Sequence, residues 1–534
     1  MKKKKKQYIL FKNNIILNSV IYFFTFVCIS IIISLWLSLL NFRNSYVIVF
    51  FSILLTYIAF IKSRPIEIEM PRPVLLASLL MFFLSIYPAV YHTYSVPASA
   101  DAVHTTIIRI LSSNIPDTYA PYSNLKLTYQ IGFHLFGKVI TDLLFFIPDY
   151  TILLFLGGLF SGLQPILIYI FTFYILKNKG QAALASIILL GTKVTFQNMY
   201  WGGWTVILAM DLALITLILF IENKKLSYVY FPATFAVHPI GGLMLIIFLG
   251  LYSMFHRDNI KKLVYIMPSL FLVIPHTISK NYYTTFTNLF RASTYATENV
   301  SFLDFSISTV LWIGIIPFIL LITGILHEYK YKNLSKDFYI ITVFFVSFIL
   351  YLVLFVKGFL NADKIMVLIT LSVILIGSVS IKKPNLKLFL FIGILCVATF
   401  FTSHELANLR LGSKISLDEI EFANEFKKFD SELKNTLFLS PGIGWMAHIS
   451  NKIPYDAKVG WFLAYSDSSV VMDEGYQELN LKHELWEKIV NGCIDCIKST
   501  NVNYIIINKN FFNYSYSLGD PIFKSKYFEV YPFR

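Results

Sequence analysis

Long runs of apolar residues, separated by short polar connections, recur from the amino terminus to about residue 402. A helix needs about 20 apolar residues to cross the hydrocarbon core of a membrane. We therefore expect a polytopic α-helical membrane protein. The pattern predicts spans at 14–40, 46–61, 73–92, 148–176, 181–198, 204–221, 226–254, 262–277, 308–326, 337–356, 364–380 and 386–402.

The segment 226–254 is too long for one crossing, and His238-Pro239-Ile240-Gly241-Gly242 interrupts it. Proline removes a backbone hydrogen-bond donor, and glycine weakens a helix. We expect two crossings, or two half-helices, that meet at His238-Pro239. The chain then crosses the membrane about 13 times.

The composition supports this assignment and excludes other classes of protein. Of the 534 residues, 56% are apolar and 14% are charged, whereas about 25% of the residues in a soluble domain are charged. A soluble protein of this length could not bury so much apolar surface. A cytosolic enzyme, a disordered protein and a collagen-like fibre are excluded.

The net charge of +14 reports orientation rather than nucleic-acid binding, because Lys and Arg collect in the cytoplasmic connections of membrane proteins. One set of alternate connections, with the amino terminus, holds 22 Lys and Arg, and the opposite set holds 8. The sequence therefore predicts a multi-pass protein of the plasma membrane with a cytoplasmic amino terminus. An odd number of crossings places residues 403–534 outside.

The composition changes after residue 402, and we expect a transmembrane domain at 1–402 and an extracytoplasmic α/β domain at 403–534. In the second domain Ser416 and Glu419 have capping-box spacing before an apolar helical pattern. Apolar runs at 436–440, 503–508 and 528–531 predict strands of a partly parallel sheet, and 484–500 predicts a helix. Cys493 and Cys496 fall in that helix, and no strand precedes them as a thioredoxin-like motif requires.

The extracytoplasmic loop 91–147 holds the residues that could carry chemistry. Asp101 precedes a helical pattern and is predicted as its N-cap, with His104 on the same side one turn later. Val103, Ile107 and Leu111 form an apolar face, which predicts a helix on the membrane surface. A second amphipathic stretch contains Gly132-Phe133-His134.

These motifs resemble those of the GT-C superfamily of membrane glycosyltransferases, which includes the oligosaccharyltransferases and the protein mannosyltransferases. The similar features are the Asp101-x-x-His104 pattern after a span that leads out of the cell, the Gly132-Phe133-His134 segment where the loop re-enters the membrane domain, and the broken helix at His238-Pro239. Lys364 at the start of a late span and the outer α/β tail are also similar.

The resemblance implies a glycosyltransferase that acts on the outer face. The sugar donor would be a polyprenyl-phosphate sugar, and the acceptor would be a glycan, a lipid or a protein. Asp101 would act as the general base on the acceptor hydroxyl, and Lys364 would stabilise the departing phosphate. A divalent metal ion is left open, because no Asp-x-Asp motif occurs outside the membrane.

Other residues are candidates for substrate binding, each with a structural alternative. His104 could orient a phosphate or a metal ion, or simply be solvated. His134 could bind substrate or be an ordinary amphipathic residue at the membrane interface. His238 could point at the donor or be a helix-end residue satisfied by the backbone. Asp211, about 10 Å inside a span, should face the protein interior because a carboxylate in lipid is costly. Arg291 is an alternative phosphate contact, and Lys364 could serve only as an interfacial anchor.

Three other functions stay open at this level. A transporter or flippase for lipid-linked sugars would have internal repeats and paired helix breaks, whereas the sequence has one clear break and no repeat. An outer-face polysaccharide polymerase or ligase is a variant of the same chemistry. A scaffold or receptor would leave the Asp101 loop unexplained.

Overall fold

The computed structural model describes residues 2–92, 102–192, 203–274, 310–331, 341–346, 362–456 and 474–533. Short gaps within these ranges fall at 64–65, 67, 125–126, 128–129, 311–312, 344–345, 382–383, 412–414, 494 and 513–517. All statements about the fold concern these residues.

The membrane domain is built from helices that largely follow the predicted apolar runs. In chain order they are α1 (Lys2–Leu39), α2 (Ser45–Lys62), α3 (Arg72–His92), α4 (Val103–Ile110), α5 (Gly132–Leu143), α6 (Asp149–Leu176), α7 (Lys179–Leu189), α8 (Trp204–Ile221), α9 (Ser227–Val237), α10 (Pro239–Phe255), α11 (Ile260–Ile266), α12 (Ile315–Tyr331), α13 (Ala362–Val379) and α14 (Leu386–Leu411).

Four helical segments among the described residues are long and apolar enough to cross a membrane: Ile16–Leu39, Ser45–Lys62, Asp149–Leu176 and Trp204–Ile221. Six shorter apolar helices accompany them. The fold is therefore that of a mostly helical membrane protein, and the number of about 13 crossings stays a prediction. The span expected at 262–277 is divided between α11 and a 3-10 turn at Met267–Leu272.

The interruption predicted at His238-Pro239 is confirmed. Helix α9 ends at Val237 and α10 begins at Pro239, while His238 between them has extended backbone. The imidazole Nδ1 of His238 accepts a hydrogen bond from the backbone N–H of Ile240 and so caps α10. At Gly241 a Cβ atom would lie 2.7 Å from the side chain of Thr234 on α9 and 2.9 Å from the carbonyl oxygen of Ala209 on α8, so the close packing here requires glycine.

Burial orders the helices from the centre of the bundle to its edge. In α8, 94% of the apolar window is buried, compared with 17% in α2. A helix that is apolar on all sides belongs in a core or faces lipid. Helix α8 therefore forms the centre, packed against α6, α9 and α10, and α2 lies at the periphery.

The carboxyl-terminal region contains the expected mixed sheet. Its elements are α15 (Leu417–Phe429), β1 (Asn435–Leu439), α16 (Ile443–Ser450), β2 (Ile453–Pro454), α17 (Glu474–Val490), α18 (Asp495–Lys498), β3 (Tyr504–Asn508), β4 (Phe523–Lys524) and β5 (Phe528–Pro532). The strand order is β2-β1-β3-β5-β4, in which β1 is parallel to β2 and β3 and β5 is antiparallel to β3 and β4.

The predicted capping box at Ser416 and Glu419 is present at the start of α15. The carboxylate of Glu419 also accepts hydrogen bonds from the hydroxyl of Ser440 and from the backbone N–H of Gly442. Because Glu419 is buried, these donors replace the water that its charge loses. Glu419 thus ties α15 to the turn that follows β1.

Two boundaries differ from the sequence prediction. Helix α14 continues to Leu411, past the predicted end of the last span at residue 402. The single helix predicted at 484–500 is instead α17 and α18, with a turn at 491–492 between them. Cys493 lies in this break and Cys496 lies in α18, and the two form a disulfide bond.

Candidate functional site

The first helix of the 91–147 loop lies inside the protein rather than on the membrane surface. Every side chain from Val103 to Ile108 on α4 is buried, so the predicted surface helix is wrong. Ala102, rather than Asp101, is the N-cap residue. Of the buried polar residues of α4, Thr105 and His104 have hydrogen-bond partners in the interior, whereas the hydroxyl of Thr106 has none among the described residues. The hydroxyl of Thr105, for example, donates to the carbonyl of Ala102 at 2.7 Å.

The second loop helix, α5, begins against the helix break. A Cβ atom at Gly132 would lie 2.7 Å from the backbone oxygen of Ala236, two residues before His238. Only glycine allows this approach, so the start of α5 and the end of α9 meet through their backbones. The Gly-Phe-His134 segment and the His238-Pro239 break, which the sequence singled out separately, are brought together here.

His104 and His134 form a buried pair next to this junction. Nδ1 of His104 lies 2.8 Å from Nε2 of His134, and both side chains are buried. One of these nitrogens must donate a proton and the other accept it, so the tautomer of one ring determines that of the other. Trp204 at the start of α8 packs over His104, with ring centroids 5.5 Å apart.

The pair does not readily take up an additional proton and become positively charged. Burial lowers the pKa of His134 well below its ordinary value, the proximity of His104 lowers it further, and the backbone of Gln130 only partly opposes both effects. His134 is therefore a neutral imidazole near pH 7. It can relay or accept a proton, but it does not supply a standing positive charge for a phosphate.

A second polar cluster, formed by Arg109, Asp149 and His448, joins α4 and the start of α6 to α16 of the carboxyl-terminal region. Nε of Arg109 donates to Asp149 at 2.6 Å, and Nη1 donates to the carbonyl of His448 at 2.6 Å. Nε2 of His448 lies 3.2 Å from Asp149. The cluster therefore fixes the sheet-containing region against the loop helices.

Electrostatics decides which member of this cluster neutralises Asp149. Burial and the neighbouring Arg109 lower the pKa of His448 to about 4, and Asp149 only partly opposes them. Burial disfavours the charge on Arg109, but Asp149 and Tyr122 raise its pKa above the ordinary value. The ion pair is therefore Arg109 with Asp149, and His448 is a neutral donor through Nε2.

A cavity of about 440 Å³ opens beside this cluster. Its walls come from α4, α5, the connection to α6 and α15, and they include Arg109, Thr141, Asn424 and Lys427. Burial and the charge of Arg109 lower the pKa of Lys427, and Asp149 opposes them. The carboxylates of Asp142 and Asp149 also line the cavity. A cavity with hydroxyl, amide, cationic and carboxylate groups suits a ligand that has many hydroxyl groups.

The remaining predicted residues do not all join this site. Asp211 lies on α8, about 10 Å further along the helix than Trp204, and is fully buried as expected. Gln164 on α6 is its polar neighbour, but neither carboxylate oxygen has a hydrogen-bond partner of regular geometry. Lys364 lies in the first turn of α13. Asp101 and Arg291 fall outside the described residues.

The described part of the chain contains no group of three or more His, Cys, Asp and Glu side chains that could hold a metal ion. The His104–His134 pair alone provides two ligands, whereas zinc sites in proteins use three or four. This pair therefore does not form a metal site by itself.

Sequence reasoning missed the roles of Arg109, Asp149, His448 and Lys427. Arg109 is noticed in the sequence only as one of the few cations outside the predicted spans. Its partner His448 lies 339 residues away, and no local pattern connects two such positions. Only Asp149 has a local sequence signal. It directly follows Pro148 at the start of a predicted span, and an acidic residue at that position stabilises the helix dipole.

Comparisons with known proteins find similarity at the level of the fold. No protein-family model and no curated protein matches the chain. Among solved structures, the apo form of the Archaeoglobus fulgidus oligosaccharyltransferase matches 82% of this chain and 69% of its own, with 10% identity and a TM-score of 0.49. The complex of that protein with Zn and sulfate matches 82% and 68%, with 12% identity and a TM-score of 0.46.

Both solved structures are of an oligosaccharyltransferase, one of the classes that the sequence motifs resemble. At TM-scores below 0.5, any function proposed for this chain has to rest on its own residues.

Proposed function

We propose that this chain is a membrane glycosyltransferase that transfers a sugar from a polyprenyl-phosphate donor to an acceptor on the extracytoplasmic face. One observation carries the proposal. The described part of the 91–147 loop folds into two buried helices that join the membrane bundle to the α/β region, with a polar cavity of about 440 Å³ at the junction. Such a cavity beside a bundle can hold a hydroxyl-bearing acceptor near a lipid-linked donor.

Asp101 is the general base in this proposal. Its carboxylate accepts the proton of the acceptor hydroxyl as the oxygen attacks the anomeric carbon of the donor sugar. The bond between the acceptor oxygen and the anomeric carbon forms, and the bond between that carbon and the phosphate oxygen breaks. The electron pair leaves with the lipid phosphate, whose charge Lys364 or Arg291 stabilises.

In this proposal, the buried polar side chains near the helix break contact the sugar donor. His104 is on the helix that begins two residues after Asp101, and its hydrogen bond to His134 holds its ring in one orientation. His238 lies between α9 and α10, Asp211 lies on α8, and these helices pack around this junction. We assign these four residues to the binding of the donor sugar rather than to bond breaking.

The orientation of the carboxyl-terminal region is part of the proposal. The disulfide between Cys493 and Cys496 suits an oxidising compartment, because such bonds are rare in the cytosol. The excess of Lys and Arg in the alternate connections agrees with the same orientation. We therefore place residues 403–534 outside, where a secreted or surface-bound acceptor would reach the cavity.

The experiment compares the purified wild type with Asp101→Asn and with Asp117→Asn as a matched control in the same loop. Each variant is incubated with polyprenyl-phosphate sugars and candidate glycan, lipid and protein acceptors, and the transferred sugar is quantified. We expect Asp101→Asn to lose at least a hundredfold in rate, as removal of a general base does, and Asp117→Asn to retain activity.

Full activity of Asp101→Asn would contradict the base assignment. Sugar movement across sealed vesicles without any covalent product would contradict the transferase and favour a flippase.

A further inference from the structure

A second cavity lies at the other end of the bundle from the Asp101 loop. Helices α3, α7 and α14 begin at the same end. Lys179 in the first turn of α7 pairs with Glu69, just before α3, at 2.8 Å. A Cβ atom at Gly180 would lie 3.1 Å from Pro384, just before α14. The three helices therefore run parallel from this end, whereas the opposite end of α3 leads into the loop 91–147.

These three helices enclose a groove of about 480 Å³. Its lining is almost wholly apolar and includes Leu76, Leu80, Ile187 and Phe389. Along α14 it extends from Leu386 to Val397, about 16 Å at 1.5 Å per residue. That length is about half of the 30 Å hydrocarbon thickness, so the groove matches the depth of one membrane leaflet.

Glycine keeps the groove open. Gly393 lines it in the middle of α14, where glycine costs about 1 kcal/mol in helix stability relative to alanine. A Cβ atom at Gly393 would meet only Ile187, at an ordinary contact distance of 3.8 Å. Nothing in the packing of the described residues therefore requires glycine at this position, but any larger side chain would project into the groove.

Arg72 is the one charged residue that lines the groove, at the end where α3 begins. Its nearest candidate partner in sequence, Glu69, is already paired with Lys179. No carboxylate among the described residues forms an ion pair with Arg72, which is exposed. An apolar channel of leaflet depth, with a guanidinium at its surface end that no described carboxylate neutralises, complements a lipid that has an anionic phosphate.

We propose that this groove binds an acyl chain of an anionic glycerophospholipid whose phosphate contacts Arg72. The site lies in the leaflet where α3, α7 and α14 begin. It is separate from the proposed transferase site, so each proposal can be tested without the other.

The test measures lipid retention by the full-length protein with native mass spectrometry. Detergent-solubilised protein is equilibrated with phosphatidylglycerol or phosphatidylcholine that carry the same acyl chains. A contact between one arginine and anionic lipid is worth about a fivefold preference. We expect the wild type to retain phosphatidylglycerol about fivefold better. Arg72→Gln should abolish this preference, whereas Lys62→Gln, which removes a cation at the end of α2 outside the groove, should preserve it.

Gly393→Leu tests the groove itself, because its side chain would occupy the acyl path. We expect it to lose bound lipid of both kinds, while the circular dichroism spectrum and gel-filtration profile stay those of the wild type. If Gly393→Leu does not fold, Leu76→Trp, at a half-exposed lining position, replaces it. A photoreactive acyl chain should label peptides that contain Leu80 or Phe389.

Three results would overturn the proposal: equal retention of the two phospholipids by the wild type, an equal effect of Lys62→Gln and Arg72→Gln, or photolabelling confined to other helices. Preferential retention of a polyprenyl phosphate over phosphatidylglycerol would do so as well, since it would identify the groove as a carrier-lipid site.

Discussion

Removal of the Arg109 guanidinium tests whether the Arg109–Asp149–His448 cluster holds the α/β region on the membrane domain. In Arg109→Gln the carboxylate of Asp149 keeps only neutral donors, His448 and the backbone N–H of Tyr150, and the carbonyl of His448 loses its 2.6 Å partner. Removing one member of a buried ion pair costs 3–5 kcal/mol, because the other charge is left uncompensated. The side chains of Arg109 and Asp149 remain 22% and 16% exposed. We therefore expect the low end of this range, about 3 kcal/mol.

The assay is the free energy of unfolding of the purified protein, obtained by titration with sodium dodecyl sulfate in mixed micelles. Lys138→Gln is the matched control. It removes a cation that pairs with Asp142 one helical turn away, with the carboxylate 32% exposed, and such pairs contribute about 0.5 kcal/mol or less. The double variant Arg109→Gln with Asp149→Asn should be more stable than Arg109→Gln alone, because the unpaired charge is gone.

The account of the cluster would be refuted if Arg109→Gln destabilised the protein no more than Lys138→Gln. It would also be refuted if the effects of Arg109→Gln and Asp149→Asn were simply additive, since additivity shows that the two side chains do not interact.

Three further predictions follow from the α/β region. Because the folded pKa of His448, about 4, lies below its usual value near 6.5, stability is complete above pH 6.5 and falls by roughly 1.4 kcal/mol per unit as the pH drops towards 4. His448→Gln should flatten this slope in unfolding titrations between pH 7.5 and 4.5, and an unchanged slope would contradict the assignment. Glu419→Ala leaves several buried hydrogen-bond donors without an acceptor and should lower the free energy of unfolding by at least about 2 kcal/mol. Ser416→Ala should lower it by about 1 kcal/mol. Equal losses would show that the hydrogen bonds of Glu419 to Ser440 and Gly442 contribute nothing. In intact cells a membrane-impermeant maleimide should label Cys493 and Cys496 only after reduction, and labelling restricted to inverted vesicles would reverse the proposed orientation.

Local sequence patterns sufficed for the elements that local forces determine. The span predicted at 204–221 coincides with α8, because one apolar helix needs only its own residues to satisfy its backbone. The break at His238-Pro239 follows from the missing proline donor, and the capping box at Ser416 from side chains three residues apart.

The interior position of α4 could not be predicted in this way. Its pattern of Val103, Ile107 and Leu111 was interpreted as the apolar face of a surface helix, on the assumption that the polar side chains meet water. In the structure those polar side chains meet other protein groups instead, as His104 meets His134 on α5. Burial of a polar residue depends on a partner, and the partner comes from a distant part of the chain.

The same reason explains why the cluster at Arg109 is absent from the sequence prediction. Ion pairs between loops and domains are set by tertiary packing, which hydropathy and spacing do not encode. Asp101, in contrast, was singled out from its position in a motif, and its role as the base is a proposal for experiment.

The central claim, covalent sugar transfer on the extracytoplasmic face, is tested most directly in sealed vesicles of known orientation. Right-side-out and inverted membrane vesicles that contain the wild type or Asp101→Asn receive an acceptor that cannot cross the membrane, and the glycosylated acceptor is identified by mass spectrometry. The account predicts product only with right-side-out vesicles of the wild type, with at least a hundredfold less for Asp101→Asn. Equal product from both variants, or product formed only by inverted vesicles, would contradict it.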